Sequence, residues 1–222
     1  MWQPQARALS HSFRVLVPDL PGHGVHTGIR FHLNEAIEGL KKLIDTEANG
    51  RAVLVGMSLG GYVSMEFASR YPEKLSGLVL MSCTAEPTGP GAALYWAGTW
   101  VASTAPTPWL SAFKRFIGRF FFSAELGHLV RGNHFRGGAQ GVRSIMWKSS
   151  AEKIRDFPGP ILFINGQRDY PFRSYERRFL RAARQGRLEH IPGAYHVCNL
   201  DDPERVNRLI REFAESVSDR SY

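Results

Sequence analysis

A serine stands between glycines at Gly56-Met57-Ser58-Leu59-Gly60, directly after the apolar run Ala52-Val53-Leu54-Val55. That run has the composition of a strand buried on both faces. The residues beyond Ser58 read as a helix that continues to Tyr71, where Pro72 closes it. A Gly-x-Ser-x-Gly pattern on such a sharp strand-to-helix turn lifts the serine hydroxyl above the sheet. The turn strains the serine backbone, and glycines flank it because a Cβ on either side would clash. Gly61 lets the helix sit close to the neighbouring strand. The helix N-terminus offers unsatisfied N–H groups and the positive end of a dipole. The N–H of Leu59 is therefore the expected oxyanion donor.

A serine hydroxyl is a poor nucleophile at neutral pH and needs a general base, itself oriented by an acid. The chain offers both after later strands. Ile161-Leu162-Phe163-Ile164 leads into Asn165-Gly166-Gln167-Arg168-Asp169, and Leu188-Glu189-His190-Ile191 leads into Pro192-Gly193-Ala194-Tyr195-His196. Asp169 and His196 thus lie past the carboxyl ends of their strands, on the sheet edge that also carries Ser58. Open α/β sheets bind ligands at that edge. Asp201 and Asp202 are rival acids, better explained as caps of the helix at Pro203. Asp169 could instead cap a turn. His23 and His190 are rival bases, but His23 precedes the serine and His190 lies inside a strand.

The elements that must position these residues alternate. Residues 3–10 read as a short amphipathic helix, Phe13 to Val17 as a strand ending at Pro18, and Pro18–Gly24 as a turn-forming loop. Asn34 is placed to cap a helix with Ile37, Leu40 and Ile44 on its apolar face, ending near Asn49-Gly50. Further strands fall at 52–56, 78–81, 161–164 and 188–191, and helices at 174–184 and 203–217. The expected fold is α/β, a mainly parallel sheet flanked by helices. Residues 1–83 and 151–222 form its core. Residues 84–150 break the pattern and are expected to form a helical lid or cap insertion, because a mere linker would not be so aromatic.

The formal net charge is +8, concentrated in 84–150 and 170–190. Arg173, Arg177, Arg181 and Arg184 fall at helical spacing, as one solvated face would. No stacking aromatics are interleaved with them, which argues against nucleic acid. The two cysteines, Cys83 and Cys198, read as small buried side chains, and no cluster has metal-ligand spacing. The start Met1-Trp2-Gln3-Pro4-Gln5 lacks the basic, apolar pattern of a secretory signal, so the expected location is cytoplasmic.

With these segments in view, the chain resembles the α/β-hydrolase superfamily. It is similar to the branch built around a Pro-Asp-Leu-Pro-Gly-His-Gly loop, which stands here as Pro18–Gly24. The Gly-Met-Ser-Leu-Gly-Gly, Asn-Gly-Gln-Arg-Asp and Gly-Ala-Tyr-His-Val segments match in order, as does the closing Asp-Asp-Pro-Glu-Arg-Val-Asn helix. The resemblance covers the chain outside 84–150, where the family usually carries a variable helical lid. It also implies more sequence before Met1: an N-terminal hairpin, a strand, and a His-Gly loop whose backbone supplies a second oxyanion N–H. On this expectation the start at Met1 is incomplete, the sheet lacks a central strand, and of the two oxyanion donors only the Leu59 N–H remains. Such a loss costs about 10²–10³ in turnover.

Within the insertion, Phe113, Phe116, Ile117, Phe120 and Phe121 recur on one helical face, with Lys114, Arg115 and Arg119 off it. One reading makes this face, with Trp96, Trp100, Trp109 and Met57, the wall of an apolar acyl pocket. A second has the aromatics glue the insertion to the core. A third rests the helix on anionic lipid. The expected function is hydrolysis of an ester-type acyl bond in a small hydrophobic substrate by Ser58, His196 and Asp169, without cofactor or metal. Thioester, lactone and carbon–carbon cleavage use the same machinery. The alternative is a hydrolase-like binding module, weak or inactive for want of its oxyanion loop. Oligomeric state is not encoded in any of these patterns.

Overall fold

Four strands, β1 (Ala52–Met57), β2 (Leu75–Met81), β3 (Pro160–Gly166) and β4 (Gln185–Ile191), form one parallel sheet in the order β1-β2-β3-β4. The structure, a computed structural model, describes residues 1–86, 88, 135–145 and 150–218. The helices, in chain order, are α1 (Gln3–Leu9), α2 (Leu33–Glu47), α3 (Leu59–Arg70), α4 (Phe135–Ile145), α5 (Ser150–Lys153), α6 (Tyr170–Arg173), α7 (Glu176–Ala182), α8 (Cys198–Asp201) and α9 (Pro203–Ser218). This is the expected α/β-hydrolase fold, with helices on both faces of a parallel sheet.

Side chains of a strand alternate between faces, and the two cores divide accordingly. Leu78 and Leu80 of β2 and Ile161 and Phe163 of β3 face a cluster with α2, α3 and α7. Val79, Met81, Leu162 and Ile164 face a second cluster with α1 and α9. Register follows from this, because a one-residue slip would turn every apolar side chain to the wrong face. Leu80 lies opposite Phe163, and Phe163 opposite Leu188. All four strands point the same way, so their carboxyl ends and following loops share one edge.

Several local expectations differ from the structure. Phe13 to Val17 is not a strand. Its β-branched residues carry the propensity, but β1 is paired only with β2 among the described residues, and a strand needs a ladder partner. Phe13 and Val15 instead pack on the α1/α9 core. Asn34 does not cap α2. The helix starts one residue earlier, and the Asn34 amide oxygen accepts a hydrogen bond from Arg70 Nη1 at 2.9 Å, tying α2 to α3. The arginine-rich stretch is two helices, α6 and α7, broken at Ser174–Tyr175. At α9 the cap is as expected: the Arg205 N–H donates to Asp202 Oδ1 at 3.0 Å.

Chain leaving β2 and chain entering β3 are fastened together by one buried carboxylate. Glu86, 5% exposed, accepts the N–H groups of Ser150 and Ala151 at 2.9 and 3.0 Å, at the start of α5. A carboxylate suits orphan donors at a helix N-terminus. Tyr62 of α3 donates its hydroxyl to the Ala85 carbonyl at 2.7 Å, and Gln140 of α4 accepts the Phe31 N–H at 3.0 Å. The two amides at α5 lose their acceptor in Glu86→Ala. That variant is expected to lose about 1–3 kcal/mol of stability, the cost of unsatisfied buried donors. The measurement is urea denaturation, and an unchanged midpoint would show that the clasp contributes nothing.

Candidate active site

Ser58 lies between β1 and α3 with φ +50° and ψ −120°, a conformation L residues rarely hold. Its N–H donates to the Met81 carbonyl at 2.9 Å, so the β1–β2 ladder continues through the serine before the chain turns. The turn is tight. A Cβ on Gly56 would stand 2.5 Å from the Gly60 carbonyl oxygen, and one on Gly61 would stand 2.4 Å from Cys83 Sγ. The two glycines therefore do the steric work expected of them. Gly60 differs: a Cβ there would meet no described atom within 4 Å. Packing among the described residues therefore does not require glycine at that position.

The structure brings Ser58, His196 and Asp169 together. His196 Nε2 lies 2.9 Å from Ser58 Oγ, and His196 Nδ1 lies 2.8 Å from Asp169 Oδ2. Asp169 is fully buried and His196 is 8% exposed, while Ser58 is half-buried. An ionised carboxylate can only accept, so Nδ1–H donates to Asp169 and leaves Nε2 to accept the Ser58 hydroxyl proton. That is the tautomer a general base requires.

The loops carrying Asp169 and His196 are zipped to each other. The Gln167 N–H donates to the Ile191 carbonyl at 3.0 Å, and the Arg168 N–H donates to the Ala194 carbonyl at 2.8 Å. Gln167 Oε1 accepts the Gly193 N–H at 2.9 Å. Gly166 permits the approach, because a Cβ there would fall 2.0 Å from the Tyr195 carbonyl oxygen. Asp201, one of the rival acids, braces the other side by accepting the Tyr195 N–H at 2.7 Å. The rival histidines are engaged elsewhere. His23 Nδ1 meets the Pro21 carbonyl at 3.0 Å, and His190 Nε2 meets Glu176 Oε1 at 2.9 Å.

Among the other expected site residues, Leu59 opens α3 beside Ser58, and its side chain lies against Gly141 of α4. Met57 is 6% exposed and packs in the α1/α9 core with Val79 and Met81. Trp96, Trp100, Phe113, Phe116 and Phe120 lie outside the described residues. Burial pushes the thiol of Cys198 up to about 12 and that of Cys83 well above its ordinary range. Neither is a thiolate at neutral pH, so neither competes as nucleophile.

Three supporting residues were assigned no role from the sequence. Asn165, fully buried, presents its oxygen to the Ser82 N–H at 3.0 Å and its amide to Thr84 Oγ1 and Glu176 Oε1 at 2.8 and 2.9 Å. Glu176 Oε1 also accepts Arg173 Nε at 2.9 Å. Phe172 stacks on the His196 ring. The Asn165 contacts to Ser82 and Thr84 join segments more than 80 positions apart, and of the three only Asn165, beside the Gly166 turn, lay within a recognisable pattern.

The model of the Alpha/beta hydrolase family matches residues 1–209. A 2-hydroxy-6-oxononadienedioate/2-hydroxy-6-oxononatrienedioate hydrolase of Burkholderia vietnamiensis is 45% identical over 74 residues, which is 31% of this chain and 25% of that one. The enol-lactonase of Burkholderia xenovorans LB400 superposes with a TM-score of 0.79 at 21% identity, covering 96% of this chain and 85% of that one. A thermophilic esterase of Thermogutta terrifontis gives 0.78 at 23% identity, covering 97% and 85%. Among the described residues no helix is long and apolar enough to cross a membrane.

Glu176 links the site to acid stability. Burial alone would raise its pKa, but hydrogen bonds from Arg173, Asn165 and His190 outweigh burial and hold it below the usual value. A depressed carboxylate stabilises the fold above its unfolded pKa, about 4.3 for Glu, and that contribution is lost as pH falls through the folded value. Wild type is therefore expected to exceed Glu176→Gln in melting temperature at pH 7. The gap should narrow as both are taken down to pH 3. A gap that stays constant across this range would contradict the assignment.

Proposed function

The chain belongs to the alpha/beta hydrolase family, and we propose that it is a serine hydrolase cleaving an ester-type acyl bond of a small, hydrophobic substrate. The observation that carries this reading is the continuous hydrogen-bonded line Ser58 Oγ–His196 Nε2 and His196 Nδ1–Asp169 Oδ2, at 2.9 and 2.8 Å. Both distances are within the reach that proton transfer requires.

In this reading Ser58 Oγ attacks the substrate carbonyl carbon while His196 Nε2 takes the hydroxyl proton. Asp169 keeps the imidazole in the productive tautomer and offsets the charge of the imidazolium. The negative oxygen of the tetrahedral intermediate meets the Leu59 N–H at the start of α3, where the helix dipole favours negative charge. His196 then returns its proton to the departing alcohol, which leaves an acyl group on Ser58. Water, deprotonated by the same imidazole, releases the acid. Nothing in this cycle requires a metal or an organic cofactor.

Residues 84–150 serve in this proposal as a lid over the shared strand edge. Its flanks are fastened by Glu86 and Gln140. Met57 supports the turn from its place in the core. Among the proteins that share the fold are an esterase and an enol-lactonase, and their names support reading the bond as an ester.

Purified protein is expected to hydrolyse p-nitrophenyl acetate and butyrate. Ser58→Ala should reduce kcat by at least about 10³-fold, and Asp169→Asn by about 10⁴-fold through the wrong imidazole tautomer. Absence of turnover in wild type would favour a hydrolase-like binding module instead.

A further inference from the structure

The turn that carries Asp169 also carries Phe172. The two residues are three apart on the single turn of α6, so their side chains leave it as neighbours. Both reach the same imidazole. Asp169 meets the edge of His196 at Nδ1, and Phe172 meets its face, with ring centroids 4.2 Å apart and planes at 39°. The Phe172 backbone is fixed from outside the triad. Its carbonyl accepts the hydroxyl of Thr84 at 2.7 Å, and Thr84 is itself fully buried and held by Asn165 at 2.8 Å. The Tyr175 N–H donates to the Thr84 carbonyl at 3.2 Å, so the turn is pinned on both sides of Phe172.

We infer that Phe172 is a positioning residue for His196, holding the imidazole in the plane that joins Ser58 to Asp169 and stabilising its protonated form through the π face. This rests on His196 being the general base. An imidazolium at 8% exposure has little water to solvate it. Asp169 compensates the charge at one edge, and Ser58 Oγ occupies the other. Among the described residues, other charged and titratable groups around the loop are engaged elsewhere. The thiols of Cys83 and Cys198 stay protonated through burial, Asp201 is turned to the Tyr195 N–H, and Arg168 lies over the Tyr195 ring, 5.5 Å from its centroid. Phe172 lies on the face of the ring at 4.2 Å between centroids, and the negative face of a phenyl group within about 6 Å attracts a cation.

A merely structural packing role predicts no dependence on the electronics of the ring, which makes the two separable. The experiment replaces Phe172 with 4-fluoro-, 3,5-difluoro- and pentafluorophenylalanine, nearly isosteric rings of falling negative face charge, and with Leu. The His196 Cε1–H resonance is titrated by NMR without substrate, and is assigned by its loss in His196→Gln. The expected result is a pKa that falls stepwise along the fluorinated series and is lower by about half a pH unit in Phe172→Leu. A stepwise fall in kcat with little change in KM should accompany it on a p-nitrophenyl ester. A His196 pKa that is the same across the fluorinated series overturns the proposal, whatever the variants do to stability. The titration is read with no substrate present, so this result stands apart from ester turnover, which alone decides whether His196 acts as a base.

Discussion

Ser58 holds a backbone conformation, φ +50° and ψ −120°, that an L residue keeps only when its neighbours impose it. They do so from two directions. On the strand side, its N–H is committed to the Met81 carbonyl. On the helix side, its carbonyl receives the N–H groups of Gly61 and Tyr62, so α3 is already wound one residue later. The chain must reverse between those commitments, and Gly56 and Gly61 are the positions where a Cβ would block it. What the strain achieves is direction. The hydroxyl leaves the sheet toward the edge where the other parallel strands also end.

The rest of the site depends on that direction being met from across the sheet. β3 and β4 are adjacent and parallel, so the loops after them emerge side by side. Gly166 then allows the two loops to close to backbone contact, which sets the distance between Asp169 and His196. Support radiates outward from there through Asn165, Thr84 and Glu176 to the end of β2. The chemistry is thus held by backbone approach and buried hydrogen bonds on rigid strand ends. Side chains on loops alone would leave more room for error.

Much of this was legible in the sequence because it is local. Apolar runs marked β1, β2 and β3, and the glycines around Ser58 marked the turn. The placement of Asp169 and His196 followed from counting past strand ends. What failed was whatever depends on a partner. Phe13 to Val17 has strand propensity but no described strand beside it. Asn34 looked like a cap and instead reaches Arg70 on another helix. Gly60 looked sterically required by analogy with Gly56, yet its Cβ direction is open. Glu86, Phe172 and Glu176 gave no signal at all, because their roles depend on tertiary partners, 64 positions away for the Glu86–Ser150 contact.

The central claim is that Ser58 is the residue activated by this arrangement. It is tested most directly by treating the protein with a fluorophosphonate and locating the adduct by peptide mass spectrometry. The adduct should lie on the peptide containing Ser58, and labelling should slow sharply when His196 is replaced by Gln. A phosphonylated residue elsewhere in the chain, or labelling unaffected by loss of His196, would contradict the account.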